Sequence, residues 1–137
     1  MASKQTNKTY LLDTNVILRF LLNDHEEYSK QAKQIFKQIF ETNTFGRINH
    51  VTIAETYFVL TRVYKIPRQE VIEKLILLFK LDNIKIYNKH LILKILTYLQ
   101  QHSISFVDIY NLFYAVSQKA ELATFDRRLK RLYKQVG

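Results

Sequence analysis

Short β-type runs alternate with helical segments along the chain, and this alternation limits the fold more than any other feature. Residues 9–12 (Thr-Tyr-Leu-Leu) read as a strand, and a helix is expected over 15–22. An amphipathic helix is expected over 28–40. Tyr28, Ala32, Ile35, Phe36, Ile39 and Phe40 fall on one face there, and Lys30, Lys33, Lys37 and Gln38 fall elsewhere. Gly46 precedes a short strand around 47–51, and Thr52-Ile53-Ala54-Glu55 opens a helix running to about Tyr64. Pro67 suits the first turn of a helix over 67–80. A third strand is expected at 84–87 and a helix at 89–101. Residues 106–118 are apolar almost all round, the mark of an enclosed helix. Residues 122–125 (Leu-Ala-Thr-Phe) read as a fourth strand, 127–132 as a short basic helix, and Val136 as the end of a fifth strand. Such alternation indicates an α/β domain built on a parallel sheet.

Composition narrows the class further. The 137 residues suit one domain, with residues 1–8 a flexible N-terminus and 9–137 the folded part. An apolar content of 47% excludes disorder. The absence of cysteine excludes a disulfide framework, a thiolate nucleophile and a thiolate-bound metal. A net charge of +9 suits a polyanionic partner, although simple solubility explains it equally well. The first ten residues are polar, and the longest clean apolar run is only Leu75 to Phe79. No leader and no membrane span are therefore expected, and the cytoplasm is the expected location. No Gly-rich phosphate loop is present.

Four of the twelve acids lie inside apolar stretches: Asp13, Glu55, Asp108 and Asp126. An unpaired buried carboxylate is costly, so each needs a cap, a partner or a metal. Helix capping is one complete account. Thr52-x-x-Glu55 and Ser105-x-x-Asp108 have capping-box spacing, and Asp13 and Asp126 precede helices. The joint placement suggests another. Asp13 and Asp126 follow expected strands, Glu55 lies in the first helical turn after one, and Asp108 begins the enclosed helix. The carboxyl edge of an open parallel sheet is where ligands bind. Carboxylates gathered there would raise one another's pKa unless a hard divalent cation, Mg²⁺ or Mn²⁺, relieved the repulsion.

The same residues carry a family likeness over about residues 9–132. Tyr-Leu-Leu-Asp13-Thr-Asn-Val-Ile-Leu-Arg, Val-Thr-Ile-Ala-Glu55, Ile-Ser-Phe-Val-Asp108 and Ala-Thr-Phe-Asp126 resemble the PIN-domain nucleases, and among them the VapC-like toxins of type II toxin–antitoxin pairs. The resemblance implies a three-layer PIN-like fold, with a short parallel sheet of four to five strands flanked by helices. It implies a Mg²⁺- or Mn²⁺-dependent endoribonuclease that leaves a 5′-phosphate and a 3′-hydroxyl. Asp13 and Asp108 would be the main metal ligands, Glu55 a ligand or a holder of water, and Asp126 the completing acid. Asn15 and Thr124 match polar positions beside the cluster, and local turn hydrogen bonding accounts for them equally well. A small antitoxin would cover the acidic groove, and apolar helix surface such as 28–40 would serve that partner or a homodimer.

Arg127, Arg128, Lys130 and Arg131 begin beside Asp126 and form a candidate RNA-backbone patch. The alternative is the solvated face of a short helix. The four histidines are scattered, so neither a zinc site nor an acid–base histidine is expected. A dehalogenase-type phosphatase would want an acid where Asn15 stands. The competing functional reading is a noncatalytic RNA- or protein-binding α/β module whose acids only cap helices.

Overall fold

Three short strands pair in parallel in the order β1-β2-β3, where β1 is Thr9–Leu11, β2 is Phe45–Arg47 and β3 is Ile84–Lys85. The structure is a computed structural model, and it describes residues 8–137. The expected flexible N-terminus therefore lies outside the described residues except for Lys8. The chain divides into two compact units, the first ending at Lys89 and the second running His90–Gly137.

In the first unit, Thr9 pairs with Phe45, Tyr10 with Gly46 and Leu11 with Arg47, while Gly46 and Arg47 pair with Ile84 and Lys85. Helices α1 (Thr14–Leu22) and α2 (Glu26–Glu41) connect β1 to β2. Helix α3 (His50–Phe58), a π-helical turn at Val59–Val63 and helix α4 (Arg68–Phe79) connect β2 to β3. Such long connections are what parallel pairing demands. Ile17, Phe36, Ile39, Ile53, Ile72 and Phe79 are fully buried.

The strand β2 lies earlier than the sequence pattern suggests, with Gly46 inside it. A Cβ at Gly46 would stand 2.8 Å from both Ile39 Cδ1 and Leu12 Cδ1, so packing rather than turn chemistry demands glycine. The helix that follows starts two residues before Thr52, because the Asn49 side chain accepts the Thr52 N–H at 2.8 Å. Helix α2 likewise starts two residues early. His25 Nδ1 accepts the Tyr28 N–H at 3.1 Å, a cap that ordinary N-cap preferences overlook.

The second unit holds α5 from His90 onward (the helix spans Lys89–Gln101), α6 (Phe106–Ser117) and α7 (Arg127–Val136). Ile92, Ile95, Leu99, Ile109 and Leu112 are fully buried. Three expectations change here. Residues 122–125 form no strand, so the described residues carry three strands rather than four or five. Phe125 is fully exposed, and a four-residue apolar run is too short to settle its own conformation. Val136 ends α7 rather than a strand, because Leu129, Leu132, Tyr133 and Val136 continue the helical i, i+3, i+4, i+7 period. Helix α6 is amphipathic rather than enclosed, since Val107 and Tyr114 are exposed.

Candidate active site

The four acids occupy very different local settings. Asp13 follows β1 by two residues and stands at the N-cap position of α1. Its main-chain carbonyl accepts the Val16 and Ile17 N–H groups, yet its carboxylate makes no capping hydrogen bond. An aspartate in this position ordinarily caps, so its free, exposed carboxylate is available for other work.

Glu55 does not cap either. With α3 starting at His50, it lies in the second helical turn, beyond capping-box reach. Its Oε2 instead accepts a 3.1 Å hydrogen bond from the Thr14 hydroxyl. Thr14 is the first residue of α1, is buried, and packs where α1 meets α3. The bond brings Glu55 to the residue next to Asp13, so two acids distant in sequence share one corner of the first unit. In the sequence, only its place between Asp13 and Asn15 marks Thr14.

Asp108 and Asp126 belong to the second unit. Asp108 is the third residue of α6 and half-buried, and its N–H donates to the capping Ser105 hydroxyl at 3.2 Å. One half of the expected capping box is thus present. Asp126 caps α7 through Oδ1, which accepts the Leu129 N–H at 3.0 Å. Thr124 Oγ1 accepts the Asp126 N–H at 3.1 Å, a local turn bond. Asp126 therefore follows an irregular segment rather than a strand. Asp13, Glu55 and Asp126 are all exposed, so the burial cost that marked them in the sequence is not incurred.

The basic residues of α7 lie opposite its apolar side. Arg127, Lys130 and Arg131 are exposed, while Arg128 Nη1 donates to the Ser103 carbonyl at 3.1 Å. Arg19 is engaged rather than free. It pairs with Asp24 and donates to the Tyr64 hydroxyl at 3.2 Å. The Arg19 hydrogen bond holds the Asp24 carboxyl below its usual range, and the same bond raises the guanidinium. Burial, reinforced by Tyr114, raises the Tyr110 phenol. Tyr57 is buried and its hydroxyl accepts from Arg68 Nε at 2.9 Å.

Among the described residues, no group of three or more His, Cys, Asp or Glu side chains is placed to hold a metal ion. Magnesium needs less than that. It keeps several waters and takes one or two carboxylates together with substrate phosphate. Asp13 and Glu55 offer hard oxygen donors of that kind, and the chain has no cysteine to compete.

Comparison with known proteins gives one match. No curated protein and no solved structure matches the chain. The family model for the PIN domain matches residues 10–135, a span that takes in all four acids. PIN domains are generally nucleases. The chain belongs to the PIN domain family.

Proposed function

We propose that the protein is a divalent-metal-dependent endoribonuclease, with Asp13, Glu55, Asp108 and Asp126 as its acidic set. The observation that carries this reading is the state of Asp13 and Glu55. Neither caps a helix, and the Thr14 hydroxyl ties Glu55 to the residue that follows Asp13. Helix capping, the competing account, explains Asp126 but neither of these two acids.

The family likeness, and not the geometry of the described residues, names Asp13 and Asp108 as the main ligands of Mg²⁺ or Mn²⁺, with Glu55 and Asp126 completing the set. The cation, when bound, supplies Lewis-acid stabilisation of the charge that builds on the scissile phosphate. The protein's own groups do the rest. Thr14 orients Glu55, and the Glu55 oxygen not engaged by Thr14 can hold the attacking water. Asn15, exposed and next to Thr14, can contact the substrate strand. Arg127, Lys130 and Arg131 would hold the RNA backbone through loose phosphate contacts, supported by the net charge of +9. The products would be a 5′-phosphate and a 3′-hydroxyl.

The VapC-like character of the four segments supports a toxin role, with a small antitoxin covering the acidic groove. Phe40, exposed on α2, would serve that partner or a second copy. The described residues contain no helix long and apolar enough to cross a membrane. A cytoplasmic location fits an RNA substrate.

Replacement of Asp108 by Asn tests the catalytic assignment. Mn²⁺-dependent cleavage of single-stranded RNA should disappear while the melting curve stays nearly unchanged. Unimpaired cleavage by the variant would sink the assignment and return the acids to a capping role.

A further inference from the structure

A cleft of ≈ 440 Å³ opens between α1 and α2, within the first unit. Asn15, Arg19, Tyr28 and Gln31 line it, with Val16 and Ile35 as apolar wall. Its size falls in the range of roughly 300–1,000 Å³ typical of small-ligand sites.

Three observations give the cleft a chemical character. The first is a preformed aromatic platform. The Tyr28 ring stacks on the His25 ring, with centroids 4.5 Å apart and planes 18° apart. His25 is itself held in place, because its Nδ1 caps α2 by accepting the Tyr28 N–H. Tyr28 nonetheless remains 57% exposed, so stacking on His25 does not exhaust its surface.

The second is a pair of unengaged amides. Neither Asn15 nor Gln31 makes a side-chain hydrogen bond among the described residues, although each carries donors and an acceptor. That combination suits the edge of a nucleobase, which presents donors and acceptors side by side. The third is Arg19. Two of its N–H donors are fixed on Asp24 and Tyr64, which orients the guanidinium and leaves further donors at the cleft. Asn15, which lines the cleft, also lies two residues after Asp13 in the sequence.

We propose that the cleft is a nucleotide subsite that takes one unpaired base of an RNA strand. Tyr28, backed by His25, stacks on the base, and the Asn15 and Gln31 amides read its edge. This rests on the ribonuclease reading and adds the origin of base preference near the cleaved bond.

The test compares wild type with Tyr28→Ala, Tyr28→Phe and Gln31→Ala on a mixed-sequence single-stranded oligoribonucleotide. Affinity is read by fluorescence anisotropy in EDTA, and cleavage positions are mapped in Mn²⁺. Tyr28→Ala should weaken binding about 5- to 150-fold, the range of one lost base–aromatic stack, and Tyr28→Phe should retain affinity. Gln31→Ala should change which base is preferred next to the cut. Unchanged affinity and unchanged cleavage positions in Tyr28→Ala overturn the proposal, as does a wild type that binds no RNA. A wild type that binds RNA without cutting it removes the ribonuclease reading alone, and the ratio of Tyr28→Ala to Tyr28→Phe affinity still decides the cleft.

Discussion

The Thr14 hydroxyl donates a 3.1 Å hydrogen bond to Glu55, joining the first residue of α1 to the second turn of α3. The bond aims one carboxylate oxygen and leaves the other open. Because Glu55 is exposed, the bond is worth less than a buried charge-assisted one. Thr14→Val keeps the side-chain shape and removes the donor. It should lower kcat for RNA cleavage about tenfold, with little change in melting temperature, and Thr14→Ser should restore most of the loss. An unchanged kcat in Thr14→Val would show that something else orients Glu55.

Asp126 has a structural task that the other acids lack, since its carboxylate caps α7 at Leu129. Asp126→Ala should cost about 1 kcal/mol of stability, read as a fall of about 3–5 °C in Tm. Asp126→Asn should keep the cap and therefore the melting temperature. Activity measured on the Asn variant then reports the chemical role of Asp126 without the loss of the cap.

Gly46 sits at the centre of the sheet, where added bulk meets buried side chains on both sides. An alanine Cβ would lie 2.8 Å from Ile39 Cδ1 and Leu12 Cδ1, and 3.2 Å from Ile84 Cδ1. All three residues are buried, so relief by rotation is limited. Gly46→Ala should destabilise the protein by about 1–3 kcal/mol, measured by urea denaturation. A neutral result would mean that the core around β2 gives way more easily than its packing indicates.

The Arg19–Asp24 pair sets a pH dependence of known sign. The Arg19 hydrogen bond lowers the folded pKa of Asp24, while the unfolded chain keeps the ordinary value. The stabilisation is therefore present above the ordinary carboxylate pKa of about 3.9 and is lost as pH falls through the lower folded value. At low ionic strength, wild type should melt above Asp24→Asn at neutral pH, and the two should converge in acid, below the ordinary carboxylate range. A gap that persists unchanged into acid would rule out this linkage.

Much of the fold was legible from periodicity. Ala32, Phe36 and Ile39 of α2 are buried where the sequence pattern places them, because burying a stripe of side chains requires a 3.6-residue repeat, while Tyr28 and Phe40 at the ends of the same stripe are exposed. Boundaries were less legible. Asn49 and His25 begin their helices two residues early, since a cap is recognised by the hydrogen bond it makes rather than by the apolar repeat. Residues 122–125 look like a strand in sequence and are not one, because a strand needs a partner that no local pattern records.

The sequence alone determined the alternation of elements, the family, and the available chemistry. Four acids in apolar settings with no cysteine anywhere leave oxygen donors as the means of holding a metal. It could not separate an acid that caps from an acid that is free, since Asp13 and Asp126 both stand at helix starts. Only the tertiary structure decided that Asp126 caps, that Asp13 does not, and that Glu55 is held by Thr14. The reason is physical. Capping is a local contact three residues away, whereas the bond between Thr14 and Glu55 spans 41 residues and exists only once α1 packs on α3.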